Sequence, residues 1–211
     1  MLKLQIIIGS TREGRNSDSV CRWFLPITQA HQAFQVEILD LRDWQLPFFQ
    51  ETISTVGDFS DPTYSDPMVK RWNDKIGEAD AYIIVTPEYN RSIPAVLKNA
   101  IDTVFFSFRF RQKPVAFVAY SLGFTAGARA VEHLTQIMVE AEAIPVRTAT
   151  LIPFVTNAFD AELKPANPGL TTSLTVMLDD LAWLGKALKS ARSEGQLSPS
   201  AVRIRAASGR K

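Results

Sequence analysis

The chain has 211 residues, of which 46% are hydrophobic, 21% charged and 10% aromatic, and its net charge is +1. That length sits near the top of the single-domain range, and so much apolar content with so little net charge excludes a disordered body. Cys21 is the only cysteine, which excludes an internal disulfide framework; a single thiol fits a reducing, cytoplasmic setting. The N-terminus has no basic n-region and no small-residue cleavage site, so no signal peptide is expected. No apolar run approaches the ~18 residues a membrane span needs. His31 and His133 are the only histidines and stand far apart, which leaves metal and His-based triad chemistry without a residue set.

Strand and helix patterns alternate along the chain. Leu4–Ile8 is a continuous apolar run, as expected of a parallel strand covered on both faces. A loop over Gly9–Asn16 follows, then a helix with Val20, Trp23, Phe24 and Ile27 on one stripe, capped by Asn16 or Ser17. Pro26 is expected to kink or shorten that helix. Val36–Leu39 alternates, which places it at a sheet edge. A long connection rich in Pro, Asp, Ser and Thr spans 40–66; loops of such length are commonly functional or mobile. Met68–Gly77 reads as a helix, Ala81–Thr86 as a buried strand stopped by Pro87, and Pro94 opens the next helix. Pro114–Tyr120 is a fourth strand, Gly127–Ala141 a helix, Val146–Ile152 a fifth strand and Leu170–Lys189 a terminal helix. Five strands joined by helices specify a doubly wound α/β sheet, whose ligands sit beyond the carboxyl ends of the strands. Residues 1–190 form one domain on this reading. Beyond Leu184 the chain carries seven basic residues against Glu194 alone, so 191–211 is expected to be a basic, frayed tail, leaving a body with 16 basic and 21 acidic residues. No aromatic residue interleaves those charges, so the tail reads as a solvated appendage rather than a nucleic-acid contact.

Three loops carry the chemistry. Gly9-Ser10-Thr11-Arg12-Glu13-Gly14-Arg15-Asn16-Ser17 lies between a strand and a helix N-terminus, where free amides attract an anion. Its hydroxyls and the forks of Arg12 and Arg15 suit a phosphate. It is neither a Walker A loop nor Gly-x-Gly-x-x-Gly, so a singly phosphorylated ligand is the expectation. Thr86-Pro87-Glu88-Tyr89-Asn90-Arg91-Ser92-Ile93-Pro94 makes a rigid turn with Tyr89 offering a flat face; Glu88 reads as structural, since no second carboxylate accompanies it. Ser121 to Ala130 holds Gly123 and Gly127, which permit close backbone approach, with hydroxyls at Ser121 and Thr125.

Gly9-Ser10-x-Arg12 with Ser17, Thr86-Pro87-Glu88-Tyr89-Asn90 and Pro94-x-x-Leu97-Lys98-Asn99-Ala100-Ile101-Asp102 together resemble the NADPH-dependent FMN reductases. These are flavodoxin-like proteins that include chromate, azo and quinone reductases. The resemblance implies strand order 2-1-3-4-5, FMN as cofactor and NADPH or NADH as reductant. It gives Ser10, Arg12, Asn16 and Ser17 to the phosphate, Pro87, Glu88, Tyr89 and Asn90 to the isoalloxazine, and Ser121 and Gly123 to its pyrimidine side. It also implies ping-pong hydride transfer through the flavin to a small acceptor (a quinone, an azo compound, free flavin or a metal oxyanion), with no catalytic side chain and no metal. A homodimer or dimer of dimers follows, with the Phe105–Arg111 segment at the interface. Where many relatives carry two adjacent glycines in the third loop, this chain has Ala126-Gly127, which bears on nicotinamide approach. A flavodoxin-like electron carrier and a flavin-binding sensor are the alternatives.

Overall fold

The computed structural model describes residues 1–57 and 62–208. Part of the long connection, 58–61, and the end of the basic tail, with Arg210 and Lys211, lie outside the described residues. Strand β1 (Leu2–Ile8) pairs in parallel with β2 (Phe34–Asp40) on one side and β3 (Ala81–Pro87) on the other. Strand β3 pairs with β4 (Pro114–Tyr120), and β4 in turn carries β5 (Ile144–Pro145) and β6 (Thr150–Ile152) along the same edge. The order is therefore 2-1-3-4-5, with the fifth position split. The alternating strand, β2, is an edge as its pattern requires, and β3 and β4 are buried along their whole length.

Two cores fill the two faces. On one, Leu4, Ile6 and Ile8 meet Val20, Trp23 and Phe24 of helix α1 (Ser17–Ala30) and Leu174, Met177 and Leu181 of helix α6 (Gly169–Glu194). On the other, Ile7, Ile84 and Phe117 meet three helices: α3 (Pro67–Gly77) through Trp72 and Ile76, α4 (Ala95–Asp102) through Leu97 and Ala100, and α5 (Ala128–Glu140) through Leu134 and Met138. A side chain of this kind contributes about 1.5–3 kcal/mol when fully buried, which is why the continuous apolar runs decide the strand order.

Several elements depart from the sequence pattern, each for a local reason. After Val146, whose amide still donates to the Val115 carbonyl at 2.9 Å, residues 147–149 leave the ladder, because Arg147 and Thr148 interrupt the apolar run and the Thr148 hydroxyl donates to Asp180 on α6 at 3.0 Å. Pro26 does not shorten α1; it lies exposed, so the carbonyl it orphans faces water. Helix α6 runs past Lys189 to Glu194, where Lys189 and Arg192 both bond Asp80, at 2.7 and 3.2 Å. The tail is not frayed throughout: Ser200–Ala207 forms α7, tied at its start by the Ser200 amide and hydroxyl to Glu142, although none of its residues is buried.

The connection between β2 and α3 is ordered by polar staples. It contains a single helical turn, α2 (Ile53–Val56). The Asn99 side chain on α4 donates to the Pro47 carbonyl at 2.8 Å and accepts from the Phe49 amide at 2.9 Å. Glu51 accepts from Thr55 and from the amide and hydroxyl of Ser65. Burial alone would raise the Glu51 carboxyl, and these hydrogen bonds hold it below its ordinary value instead.

Candidate functional site

The loops after β1, β3 and β4 converge beyond the carboxyl ends of the sheet, where the winding changes direction. Gly9 makes this possible in the first of them. A Cβ there would meet Leu97 Cδ2 at 2.8 Å and the Val85 carbonyl at 3.0 Å, the same carbonyl to which the Gly9 amide donates at 2.8 Å. Beyond it, among the described residues, the amides of Ser10 to Asn16 make no backbone hydrogen bond of good geometry. They point into a loop that ends at the N-terminus of α1, whose first amides are also without intrahelical partners.

Between them the loops enclose a cleft of about 460 Å³. Of the predicted binding residues, Arg12 and Asn16 line it from the first loop, Pro87, Glu88, Tyr89 and Asn90 from the second, and Ser121 from the third. Ser10 and Ser17 are buried and Gly123 is half-exposed, and none of the three is part of that lining. Ser10 is fully buried and its hydroxyl bonds the Tyr89 phenol at 2.9 Å, locking the first loop to the second. The Gly123 carbonyl accepts from the Ser121 hydroxyl at 2.9 Å and so holds the third loop to itself.

The two arginines of the first loop part company. Arg12 is exposed, its guanidinium 6.0 Å from the centre of the Tyr89 ring, facing the cleft. Arg15 is buried and fully committed: Nη1 donates to the Ser10 carbonyl at 2.5 Å and to Asp40 Oδ1 at 2.7 Å, Nε donates to Asp18 at 2.7 Å, and Nη2 bonds the second Asp40 oxygen. The expectation that Arg15 would grip a phosphate is therefore corrected; it is the bolt between the loop and the end of β2. The hydrogen bond to Asp40 raises its affinity for its proton further.

The second loop is a two-residue hairpin turn. Tyr89 and Ser92 exchange backbone hydrogen bonds at 2.8 and 2.9 Å, and Asn90 and Arg91 between them have φ of +48° and +67°. Asparagine tolerates that region and arginine less so, which costs about 1 kcal/mol. Glu88 is partly exposed as a residue while its side chain is only 5% exposed, so its backbone is what faces the cleft. Its carboxylate turns inward to Arg129 of α5, whose Nε donates at 2.6 Å. Arg129 was not legible as a partner, because the pair joins two loops 41 residues apart.

In the third loop Gly127 is the obligatory glycine. Its φ is +86°, and a Cβ would meet Ala119 Cβ and the Tyr120 amide at 2.8 Å. Ala126 reaches φ +56° without being glycine. Gly127→Ala is expected to cost about 2 kcal/mol of stability, read as the denaturation midpoint, since both the left-handed backbone and the contact with β4 are unfavourable. An unchanged midpoint would contradict this packing.

Two buried hydroxyls test whether a phosphorylated flavin fits. Ser17 Oγ at the start of α1 and Tyr120 Oη at the end of β4 are both buried and make no hydrogen bond of good geometry. Burial pushes the Tyr120 phenol up to about 12, against the downward pull of the nearby Ser17 hydroxyl, so it remains a neutral donor. The two hydroxyls face each other, so at least one of them keeps a donor without an acceptor. Together with the free amides and Arg12 they suit an oxyanion with several acceptor oxygens. Tyr120, like Leu122 and Val155 in the same lining, escaped sequence reasoning because it reads simply as the last residue of an apolar strand.

A parallel sheet wound 2-1-3-4-5, with an anion-ready loop and a cleft across its carboxyl ends, defines a flavodoxin-like ligand-binding protein. The flavoenzyme NAD(P)H:acceptor oxidoreductase FerB of Paracoccus denitrificans has this fold, with a TM-score of 0.68 at 22% identity over 89% of this chain and 98% of that one. The chain belongs to the NADPH-dependent FMN reductase family, whose model matches residues 2–157, and is thus an oxidoreductase of the FMN and NAD(P)H class. It is 30% identical to an NAD(P)H-dependent FMN reductase of Schizosaccharomyces pombe over 154 residues, 73% of this chain and 72% of that protein. It is 33% identical to the quinone reductase of Escherichia coli K12 over 147 residues, covering 67% and 73%. Among the described residues, no helix is long and apolar enough to cross a membrane, and no group of acidic, His or Cys side chains is placed to hold a metal.

Proposed function

We propose that the cleft binds FMN with its phosphate in the first loop and its ring system between the second and third, and that the chain works as an NAD(P)H oxidoreductase for a small acceptor. The observation that carries this is the unsatisfied donor set at the phosphate end: free amides, Arg12, and the orphan hydroxyls of Ser17 and Tyr120. Bound there, FMN would supply the redox chemistry, taking hydride from NAD(P)H and delivering it onward in separate ping-pong half-reactions. The protein's part is positional. Arg12 and the amides hold the anion, the Pro87–Asn90 backbone presents donors and acceptors to the ring edge, and Ser121 closes the far side. The Glu88–Arg129 pair, buried on the Glu88 side, keeps the second and third loops at a fixed separation.

This reading is supported by the exposure of Arg12 against the commitment of Arg15. Arg12→Ala is expected to weaken FMN binding about 10- to 30-fold, followed by quenching of flavin fluorescence, while the denaturation midpoint of the FMN-free protein stays within about 0.5 kcal/mol. Unchanged affinity would overturn the assignment. NAD(P)H consumption with a free quinone separates a reductase from a flavodoxin-like electron carrier. The reading extends to a homodimer or dimer of dimers, supported by a groove of about 460 Å³ between α4 and α5 bordered by Val104, Phe105, Phe108 and Ile137. Light-scattering mass measurement decides that point. The same reading assigns the enzyme to the cytoplasm, where NAD(P)H is available.

A further inference from the structure

We propose that Phe124 and Phe154 select the electron acceptor, gripping a planar aromatic molecule at the mouth of the cleft; the proposal rests on the FMN reading above. Both rings are strongly exposed, Phe124 at 82% and Phe154 at 53%, and Leu122 beside them is 66% exposed. They stand on two segments stitched into one wall. The Phe154 amide donates to the Gly123 carbonyl at 3.3 Å, and the Val155 amide to the Ser121 carbonyl at 3.0 Å. Leu122 and Val155 line the cleft itself, so this wall is apolar from its floor outward.

Phe154 is also strained. Its φ is +46°, a left-handed conformation that costs a bulky residue about 1–2 kcal/mol. The structure imposes it by starting a 3₁₀ turn (Val155–Asn157) at that point, with the Asn157 amide on the Phe154 carbonyl at 2.8 Å. The core gains nothing from the exposed ring, since Ile152, Val155 and Ala158 supply the burial there. Such strain is found at ligand clamps, but Phe108 and Leu163 carry it outside the cleft lining, so at Phe154 it supports the exposure of the ring and does not stand alone. The lining contributed by the first and second loops includes the polar side chains of Arg12, Asn16 and Asn90. An occupant therefore lays an apolar ring face on the phenylalanines and turns polar edges the other way. A protein partner needs about 800 Å² of contact, far more than three side chains at a concave mouth supply.

For a quinone the balance is simple. NAD(P)H gives two electrons and one proton as hydride, solvent gives the second proton, and the products are NAD(P)⁺ and the hydroquinone.

The test compares holo wild type with Phe124→Ala and Phe154→Gly, the latter suited to the left-handed backbone so that folding is preserved. The acceptors are 1,4-naphthoquinone and ferricyanide, which has no ring to stack. For each variant kcat/KM for naphthoquinone is expected to fall about 5- to 10-fold relative to ferricyanide, mostly through KM, with FMN affinity unaltered. An unchanged ratio, equal losses for both acceptors, or a parallel loss of FMN affinity overturns the proposal. So does a change in oligomeric mass, which would give the rings to a second copy. Wild type that fails to bind FMN overturns the parent reading and this one with it; wild type that binds FMN but shows no change in ratio overturns only the aromatic rim.

Discussion

Arg15→Met is expected to cost about 3 kcal/mol of stability, although Arg15 is not part of the cleft lining. Its side chain is 4% exposed and spans three elements, bonding the Ser10 carbonyl, Asp18 on α1 and both oxygens of Asp40 at the end of β2. Removing one member of a buried pair strands the other, which costs roughly 3–5 kcal/mol; the lower figure applies because the Asp40 side chain keeps 21% exposure. The pH dependence carries a sign that distinguishes this mechanism. Burial alone would raise the Asp40 carboxyl, but the bonds from Arg15 and the Arg42 amide hold it below its ordinary value. In the wild type that group therefore stabilises above about pH 4 and the contribution is lost as pH falls through its lowered pKa. In the variant burial is opposed by Arg42 alone, so the Asp40 pKa rises and the folded state loses less, or gains, on binding a proton. The deficit measured by chemical denaturation should shrink between pH 7 and 5. A deficit constant across that range would show that Asp40 is not the stranded partner. On the FMN reading the variant also loses cofactor affinity, because the Ser10 carbonyl bond fixes the phosphate loop.

The contrast between the two arginines shows where sequence reading stops. Arg12 and Arg15 stand three residues apart in one polar loop, and the local sequence offers only Asp18, an i,i+3 partner for Arg15 that leaves the rest of its fork unclaimed. What separates them is Asp40, 25 residues away and brought alongside Arg15 by the parallel pairing of β1 with β2. The strands themselves were legible wherever a run is buried on both faces, as in β1, β3 and β4, since burial on two sides leaves no polar position. The fifth position was not, because β5 and β6 hold only a few residues each and the break between them is set by a side chain on α6. The same rule governs the cleft. The loops at the strand ends announced themselves through Gly9, Pro87, Pro94 and Gly127, residues whose backbone limits are intrinsic. Tyr120 did not, because only the folded structure shows that its hydroxyl is left without a partner. The terminal helix continued past its apolar stripe for a similar reason: Asp80, at the turn before β3, recruits Lys189 and Arg192 from more than a hundred residues away.

Lys113 marks the other end of the sheet, and it is expected to give the protein a stability that climbs with pH above neutrality. The residue precedes β4, is 8% exposed, and donates to the Gly77 carbonyl at 2.9 Å, the Ile76 carbonyl at 3.3 Å and the Tyr82 phenol at 3.1 Å. It thus caps the C-terminus of α3, a favourable place for a cation. Burial nevertheless dominates and, helped by Arg192 and Arg109 against the opposing pull of Asp80, lowers the ammonium to about 7. In the unfolded chain a lysine titrates near 10.4, so between about 7 and 10.4 the unfolded state holds a proton that the folded state has released. Folding is then increasingly favoured as pH rises, by about 4 kcal/mol across the full window at 1.36 kcal/mol per unit. Only the lower part is visible in isolation. Burial raises Cys21 to about 12, and above roughly pH 8.5 the unfolded thiol ionises while the folded one does not, which offsets the continuing gain from Lys113. Between pH 7 and 8.5 the denaturation free energy should therefore rise by about 1.5 kcal/mol in the wild type and stay level in Lys113→Met; between about 8.5 and 10 the wild type should level off while the variant declines. Parallel slopes in the two proteins across that interval would remove Lys113 as the source, whatever the absolute stabilities.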